Sequence, residues 1–154
     1  MKLSEYNESV DLHSDALFRF ACKRLLDSDL AKDIVQECYT RLWLKRNEVD
    51  HNKVKSYLFT SCHHAIIDWV RKNKRLEHPE EMPMKIHRDT EVDLKEVINE
   101  DLDRLSDVQK SVLMLRDYEG YSYEEIAEIT SLNESQVRVY LFRARKNEGL
   151  FGKS

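Results

Sequence analysis

The 154 residues predict an all-α protein made of two small helical domains, a three-helix N-terminal one and a C-terminal helix-turn-helix, joined by a flexible linker. Three observations carry that expectation. Glycine (3) and proline (2) are scarce while charged residues make up 35%, so little punctuates the helix-forming runs. Apolar residues recur at helical steps on both sides of an acidic stretch that holds both prolines. In the last third, Ser or Asn is followed three positions later by Glu or Gln, the reciprocal device that satisfies orphan N–H groups at a helix start.

The N-terminal domain, residues 1–75, reads as three helices. Leu12, Ala16, Leu17, Phe20, Ala21 and Leu25 give the first, ending near Asp27-Ser28-Asp29. In the second, from Leu30, the residues Ile34, Val35, Cys38 and Leu42 form one buried stripe, and Asp33, Gln36, Glu37, Thr40 and Arg41 face elsewhere. After the polar break from Asn47 to Asn52, a third helix runs from about Val54 to Arg75. Leu58, Cys62, Ala65, Ile66 and Trp69 are expected inward, with Tyr57, His64, Asp68, Arg71 and Lys72 toward the other side. That surface leads into Arg71, Lys72, Lys74 and Arg75. Aromatics that stack on unpaired bases beside cations that follow phosphates suit single-stranded or opening DNA. The plainer alternative makes Phe59 and Trp69 core and the basic run a solvated helix end.

Charge is unevenly distributed, which reconciles a net −4 with nucleic-acid binding. Residues 1–75 carry 14 Lys/Arg against 11 Asp/Glu, residues 76–100 carry 3 against 8, and residues 101–154 carry 8 against 10. Local basic patches, rather than net charge, set phosphate affinity. The acidic middle, 76–97, reads as a linker, and helical periodicity resumes from Val92. No run approaches the roughly 20 apolar residues of a membrane span. The N-terminus lacks an apolar signal core, so a cytoplasmic location is expected. Cys22, Cys38 and Cys62, odd in number and widely spaced, argue against a disulfide framework.

In the second domain, 98–154, Ser122 and Glu125 form a capping box that opens one short helix, and Asn133 with Gln136 opens the next. Ala127 leaves room for the second helix to cross closely. Val137 and Leu141 (i, i+4) pack back on the first, leaving Gln136, Arg138, Val139 and Arg143 on or near the outer face. Ser106 with Gln109 is a third capping box. Gly120 is placed to end the helix between in a left-handed conformation. This is the spacing of a DNA-reading helix-turn-helix.

Together the halves resemble the extracytoplasmic-function (ECF) sigma factors of the sigma-70 family. The resemblance covers nearly the whole chain. Its marks are Leu17-Phe-Arg-Phe-Ala21, Ala31-Lys-Asp-Ile-Val-Gln-Glu37 with Leu42-Trp43, Ser56-Tyr-Leu-Phe-Thr60 and Ala65-Ile-Ile-Asp-Trp-Val-Arg71. In the second half they are the run Leu105 to Gly120, Tyr121-Ser-Tyr-Glu-Glu-Ile-Ala-Glu-Ile129 and Phe142-Arg-Ala-Arg-Lys146. The resemblance implies a dissociable subunit of bacterial RNA polymerase that selects and helps melt promoters, with no covalent chemistry of its own. Residues 1–75 then correspond to sigma region 2 and 98–154 to region 4.

By that resemblance Asp33, Gln36, Glu37 and Arg41 dock on the clamp coiled coil of the polymerase's largest subunit. Their alternative is a solvated face in which Glu37 and Arg41 pair weakly, at about 0.2–0.5 kcal/mol. Lys55, Tyr57, His64, Asp68, Arg71, Lys72, Lys74 and Arg75 fall to the -10 element. Where the family pattern has Arg-Asn this chain has His63-His64, and histidine does not reproduce an amide's paired donor and acceptor. A metal site from Cys62, His63 and His64 is disfavoured, since adjacent helical residues diverge by about 100°. For the -35 element, Ser135, Gln136, Arg138 and Val139 lie at the groove-facing end, with Arg138 the best candidate for base readout. Arg143, Arg145 and Lys146 fall to phosphates. Tyr121 and Tyr123 are further candidates for phosphate contact at the preceding helix, with packing as their alternative. Ser131 stands where the family often has glycine, a strain if the backbone there is left-handed.

The expected partners are core polymerase, promoter DNA and an anti-sigma factor, with no cofactor, metal or membrane insertion. Two competing functions remain: a stand-alone helix-turn-helix regulator with an N-terminal sensing or dimerisation domain, and a helical interaction protein without DNA binding. An enzyme is disfavoured, because no nucleophile–base pair, phosphate loop or metal set stands out.

Overall fold

A computed structural model of the chain describes residues 1–77 and 106–150, with side chains up to 73 in the first span and up to 146 in the second. The described residues form six α-helices and no strand: α1 Leu3–Leu25, α2 Ser28–Leu44, α3 Val54–Glu77, α4 Asp107–Asp117, α5 Tyr123–Thr130 and α6 Glu134–Leu150. A single 3-10 turn, His51–Lys53, leads into α3. The linker expected over 76–97, beyond its first two residues, and the helix expected from Val92 lie outside the described residues.

Local chemistry fixes most helix ends. The side chain of Asp27 accepts from the backbone of Leu30 at 3.1 Å and so starts α2 directly where α1 stops. The expected capping boxes form at α5, where Ser122 and Glu125 exchange bonds of 2.8 and 3.1 Å, and at α6, where Asn133 and Gln136 do so at 2.9 and 2.8 Å. At α4 only half of the device forms. Ser106 accepts from the Gln109 backbone at 3.0 Å, but the Gln109 amide is turned inward, fully buried, and has no hydrogen-bond partner among the described residues. Gly120 is left-handed at φ +74° just beyond α4, as its position predicts.

Helices α1, α2 and α3 pack on one another, as do α4, α5 and α6. Of the expected stripes, Leu17, Phe20 and Ala21, then Ile34, Val35, Cys38 and Leu42, then Leu58, Cys62 and Ile66 are buried, and Val137 and Leu141 are buried in the second half. Two expectations need correction. Leu12 is 65% exposed, because the buried face of α1 runs through Ser9, Leu17, Phe20, Ala21 and Arg24 and leaves it outside. Trp69 is 37% exposed, lying three residues past Ile66, the last buried residue among the described side chains of α3.

The halves also meet. Helix α3 packs against α5, and α1 touches α4, so that Phe20, Phe59 and Tyr121 form an edge-to-face series with centroids 5.7 and 5.4 Å apart across the junction. Tyr121 is therefore a packing residue, 5% exposed, rather than a DNA contact.

Candidate nucleic-acid interface

The second turn-and-helix carries the clearest reading surface. Helix α5 ends at Ser131, which is left-handed at φ 63°, and the Leu132 N–H returns to the Ala127 carbonyl at 3.0 Å. The tight turn swings α6 across α5. Val137, Tyr140, Leu141 and Ala144 then form its buried side, and Ser135, Arg138, Val139, Arg145 and Lys146 are exposed, with Gln136 and Arg143 half-buried beside them. Exposed residues thus occupy the N-terminal turns of a helix whose other side is anchored. That is the presentation a major groove requires.

Arg138 and Arg145, two cations of this surface, have internal partners. Arg138 sits 3.7 Å from Glu134 and with its guanidinium 5.2 Å over the Tyr123 ring, while Arg116 lies 4.7 Å over the same ring. Arg145 pairs with Asp117 at 2.7 Å. Tyr123, Arg138, Leu141, Phe142, Arg145 and Lys146 line a groove of about 490 Å³. Phe142, 67% exposed, was absent from the candidates. Its signal was legible, since it stands three residues after Val139 and off the stripe formed by Val137, Leu141 and Ala144.

On α3 the expected outward set separates from the core. His64, Asp68, Arg71 and Lys72 are exposed and Tyr57 is half-buried. Of Lys74 and Arg75 only the helical backbone is described. Lys55 is exposed too, but its ammonium lies 5.0 Å over the Tyr121 ring. His63 departs from its neighbour. It follows Phe59 by one turn and is buried, with Nδ1 3.0 Å from the Ser111 hydroxyl of α4. That hydroxyl also accepts from Arg24 Nε at 2.9 Å. Burial, then the positive charge of Arg24, lowers the His63 pKa to about 3, so the ring is neutral and shares the Ser111 hydroxyl with Arg24 in a hydrogen bond whose direction depends on the ring tautomer.

Arg24 itself was missing from the candidates. Its side chain is fully buried and reaches the Asp107 carbonyl at 2.9 Å and carboxylate at 3.5 Å, with Nη1 left without a hydrogen bond among the described residues. No pattern within α1 distinguishes it from a solvated arginine, because its partners come from 83 and 87 residues away.

On α2, Asp33, Gln36, Glu37 and Arg41 are all exposed on one side, with Glu37 and Arg41 paired at 2.7 Å. Behind them, Cys38 and Cys62 meet in the core between α2 and α3. Their hydrogen bond, then burial, raises the Cys62 pKa well above the ordinary thiol value. No cluster of three or more His, Cys, Asp or Glu with metal-binding geometry occurs among the described residues. None of the described helices is long and apolar enough to cross a membrane.

Comparison with known proteins meets this geometry at both ends. The family model "Sigma-70 region 2" matches residues 10–76, and "Sigma-70, region 4" matches residues 96–147. Among curated relatives, the ECF RNA polymerase sigma factor SigM of Bacillus subtilis is 28% identical over 147 residues, covering 91% of this chain and 90% of its own. The RNA polymerase sigma factor SigV of Bacillus subtilis is 30% identical over 137 residues, covering 87% and 82%. The sigma factor RpoE of Bartonella quintana, solved in complex with the anti-sigma factor NepR, has the same fold. It aligns with a TM-score of 0.73 at 23% identity, over 97% of this chain and 98% of that one. With region 2 on α1–α3 and region 4 on α4–α6, the chain belongs to the sigma-70 family of RNA polymerase sigma factors, in its ECF group.

Proposed function

We propose that this chain binds core RNA polymerase through α2, reads a -10 element through α3 and a -35 element through α6, and so directs transcription initiation from its promoters. The observation that carries the proposal is the Ser131 turn with α6 behind it. A left-handed residue and an Asn133–Gln136 capping box fix the helix start, and Ser135, Arg138 and Val139 stand exposed over a buried Val137–Leu141 anchor.

Arg138 reads a base edge there, since its fork matches the two acceptors of guanine, and Arg143, Arg145 and Lys146 hold phosphates. Tyr123 and Gln136 border the same surface. On α3, Tyr57, His64 and Asp68 face the opened strand, and Lys55, Arg71, Lys72, Lys74 and Arg75 follow its backbone. Asp33, Gln36, Glu37 and Arg41 dock on the clamp coiled coil of the largest polymerase subunit. The solved neighbour's complex with an anti-sigma factor supports a partner of that kind for this chain also. The site of action is the cytoplasm, at the nucleoid.

Run-off transcription with purified core polymerase on the promoter upstream of this chain's own gene tests the proposal. Transcription should depend on the added chain and fall steeply as salt rises, because each phosphate contact releases counterions. Failure of purified core to bind the chain would sink the reading, and tight duplex binding without polymerase would favour a stand-alone regulator.

A further inference from the structure

Arg138, on the second turn of α6, has 58% of its side chain exposed, yet it is not loose. Two neighbours act on its guanidinium. Glu134, one turn earlier, lies 3.7 Å away, an ion-pair separation longer than a hydrogen bond. The Tyr123 ring, at the start of α5, has its centroid 5.2 Å from the guanidinium carbon. A ring face attracts a cation without presenting a lone pair, so the fork of N–H donors that matches a guanine edge stays available. Arg145 differs, because its 2.7 Å bond to Asp117 engages a donor directly.

The ring is itself fixed from both sides in sequence. Tyr123 is the first residue of α5, next to Ser122, whose reciprocal bonds with Glu125 set the helix start. Arg116, in the last turn of α4, places its guanidinium 4.7 Å from the same ring centroid and donates to the Tyr121 carbonyl at 2.8 Å. That bond ties Arg116 to the segment entering α5. Half-buried, the Tyr123 side chain also packs on the core beneath it. Elements α4, α5 and α6 thus each supply one member of the series Arg116, Tyr123, Arg138.

Confinement of this kind bears on recognition. A long, flexible side chain loses rotamer freedom when it grips a base, and one already confined loses less. Resting on the reading of α6 as the -35 helix, we propose that Tyr123 is a positioning residue for base selection. Its ring, steadied by Arg116, holds the Arg138 guanidinium at the groove-facing end of α6 before DNA arrives. The ring does this, not the hydroxyl, so phenylalanine serves in its place and leucine does not.

Tyr123→Phe keeps the ring, and Tyr123→Leu keeps apolar packing without it. Each is compared with wild type, alone and combined with Arg138→Ala, with circular dichroism to establish that helicity is retained. The full chain with core polymerase is assayed by run-off transcription on the promoter upstream of its own gene, intact and with each -35 base pair substituted in turn. Tyr123→Leu should lower the intact-to-substituted activity ratio roughly two- to fivefold, at the base pair where Arg138→Ala lowers it and at no other. Tyr123→Phe should stay within about twofold of wild type at every position. Once Arg138 is alanine, Tyr123→Leu should change the ratio no further. Equal weakening of every promoter by Tyr123→Leu, a Phe variant as impaired as the Leu variant, or additive losses in the double variant overturns the proposal.

Side-chain relaxation in the free chain keeps the two readings apart. The heteronuclear NOE of the Arg138 Nε–Hε group, assigned by its loss in Arg138→Ala, should be that of an ordered side chain in wild type and Tyr123→Phe. It should fall in Tyr123→Leu while backbone values hold. That pattern in a chain inert with core polymerase refutes the sigma reading and leaves the ring contact standing. An active chain whose Arg138 is equally mobile with tyrosine and leucine at 123 refutes the positioning role alone.

Discussion

Acid should loosen this protein through one buried ring. His63 is 3% exposed and its pKa is lowered to about 3, by burial first and then by Arg24, with His64 and the nearby Arg71 adding repulsion. A ring whose folded pKa lies below its unfolded value of 6.5 contributes stability that is complete above about pH 6.5. That contribution is lost as pH falls from there toward 3, because the unfolded chain takes up the proton first. Between pH 7 and pH 5 the unfolded ring gains about three-quarters of a proton while the folded ring gains almost none. The linkage integral over that interval is about 2 kcal/mol, roughly a 25-fold shift in the folding equilibrium. His63→Asn keeps a polar group near Ser111 and removes the titration. Urea unfolding of wild type and variant at pH 7 and pH 5 checks the magnitude, since titration of all other groups largely cancels in the comparison. Wild type should lose about 2 kcal/mol more than the variant. Equal losses in the two proteins would refute both the neutral ring and its contact with Ser111.

Four further outcomes follow from named contacts. Arg138→Ala should lower transcription from a cognate promoter by about 1–3 kcal/mol in promoter binding and relax preference at one base pair of the -35 element, read by run-off transcription across a base-substitution series. Arg145→Ala should instead weaken all sequences alike and flatten the salt slope of binding by about one unit. Leu26, left-handed at φ 57° and 87% exposed, gains little from its side chain, so Leu26→Gly should stabilise the fold by about 1 kcal/mol, a rise in Tm of roughly 2–4 °C. A thiol reagent applied to the native chain should modify Cys22, which is half-buried, well before Cys38 and Cys62, with denaturant releasing the slow pair.

Much of the architecture was legible because it is local. Capping residues, a glycine beyond α4 and stripes of apolar residues act within a few positions, so α2 to α6 begin close to where those signals stand, whereas α1 begins at Leu3, nine residues before Leu12, the first apolar position expected in it. The candidates on α2 and α6 were legible for the same reason, as residues off a buried stripe must face outward. What escaped was set by distant partners. Arg24 and His63 become interior residues only because Ser111 and Asp107 arrive from the other half, at separations of 48 to 87 residues. Tyr121 lies beside a helix-turn-helix and invites a DNA role, yet Phe59 takes its ring and Lys55 its face. Trp69 fits the helical period of α3 and is exposed nonetheless, since periodicity says which side a residue occupies but not how far along the helix its neighbours extend.

On the proposed reading of α6, the acids placed around it account for selectivity in a chain of net charge −4. Arg138 and Arg145 are not bare cations, for Glu134 and Asp117 hold them in place. An exposed pair of this kind stabilises the fold by less than about 1 kcal/mol, so it yields readily to a well-placed phosphate or guanine edge. It does, however, subtract from every encounter, including those with random sequence, where no base contact offsets the loss. Removing one acid therefore separates affinity from specificity. Asp117→Asn frees Arg145 while leaving the base-facing side of α6 unchanged, and should raise binding to random duplex and to cognate promoter by the same factor, roughly two- to fivefold at low salt. Fluorescence anisotropy on the two duplexes checks this. A gain confined to the cognate sequence would mean that Asp117 takes part in base selection, and no gain on either would mean that Arg145 does not reach the phosphates.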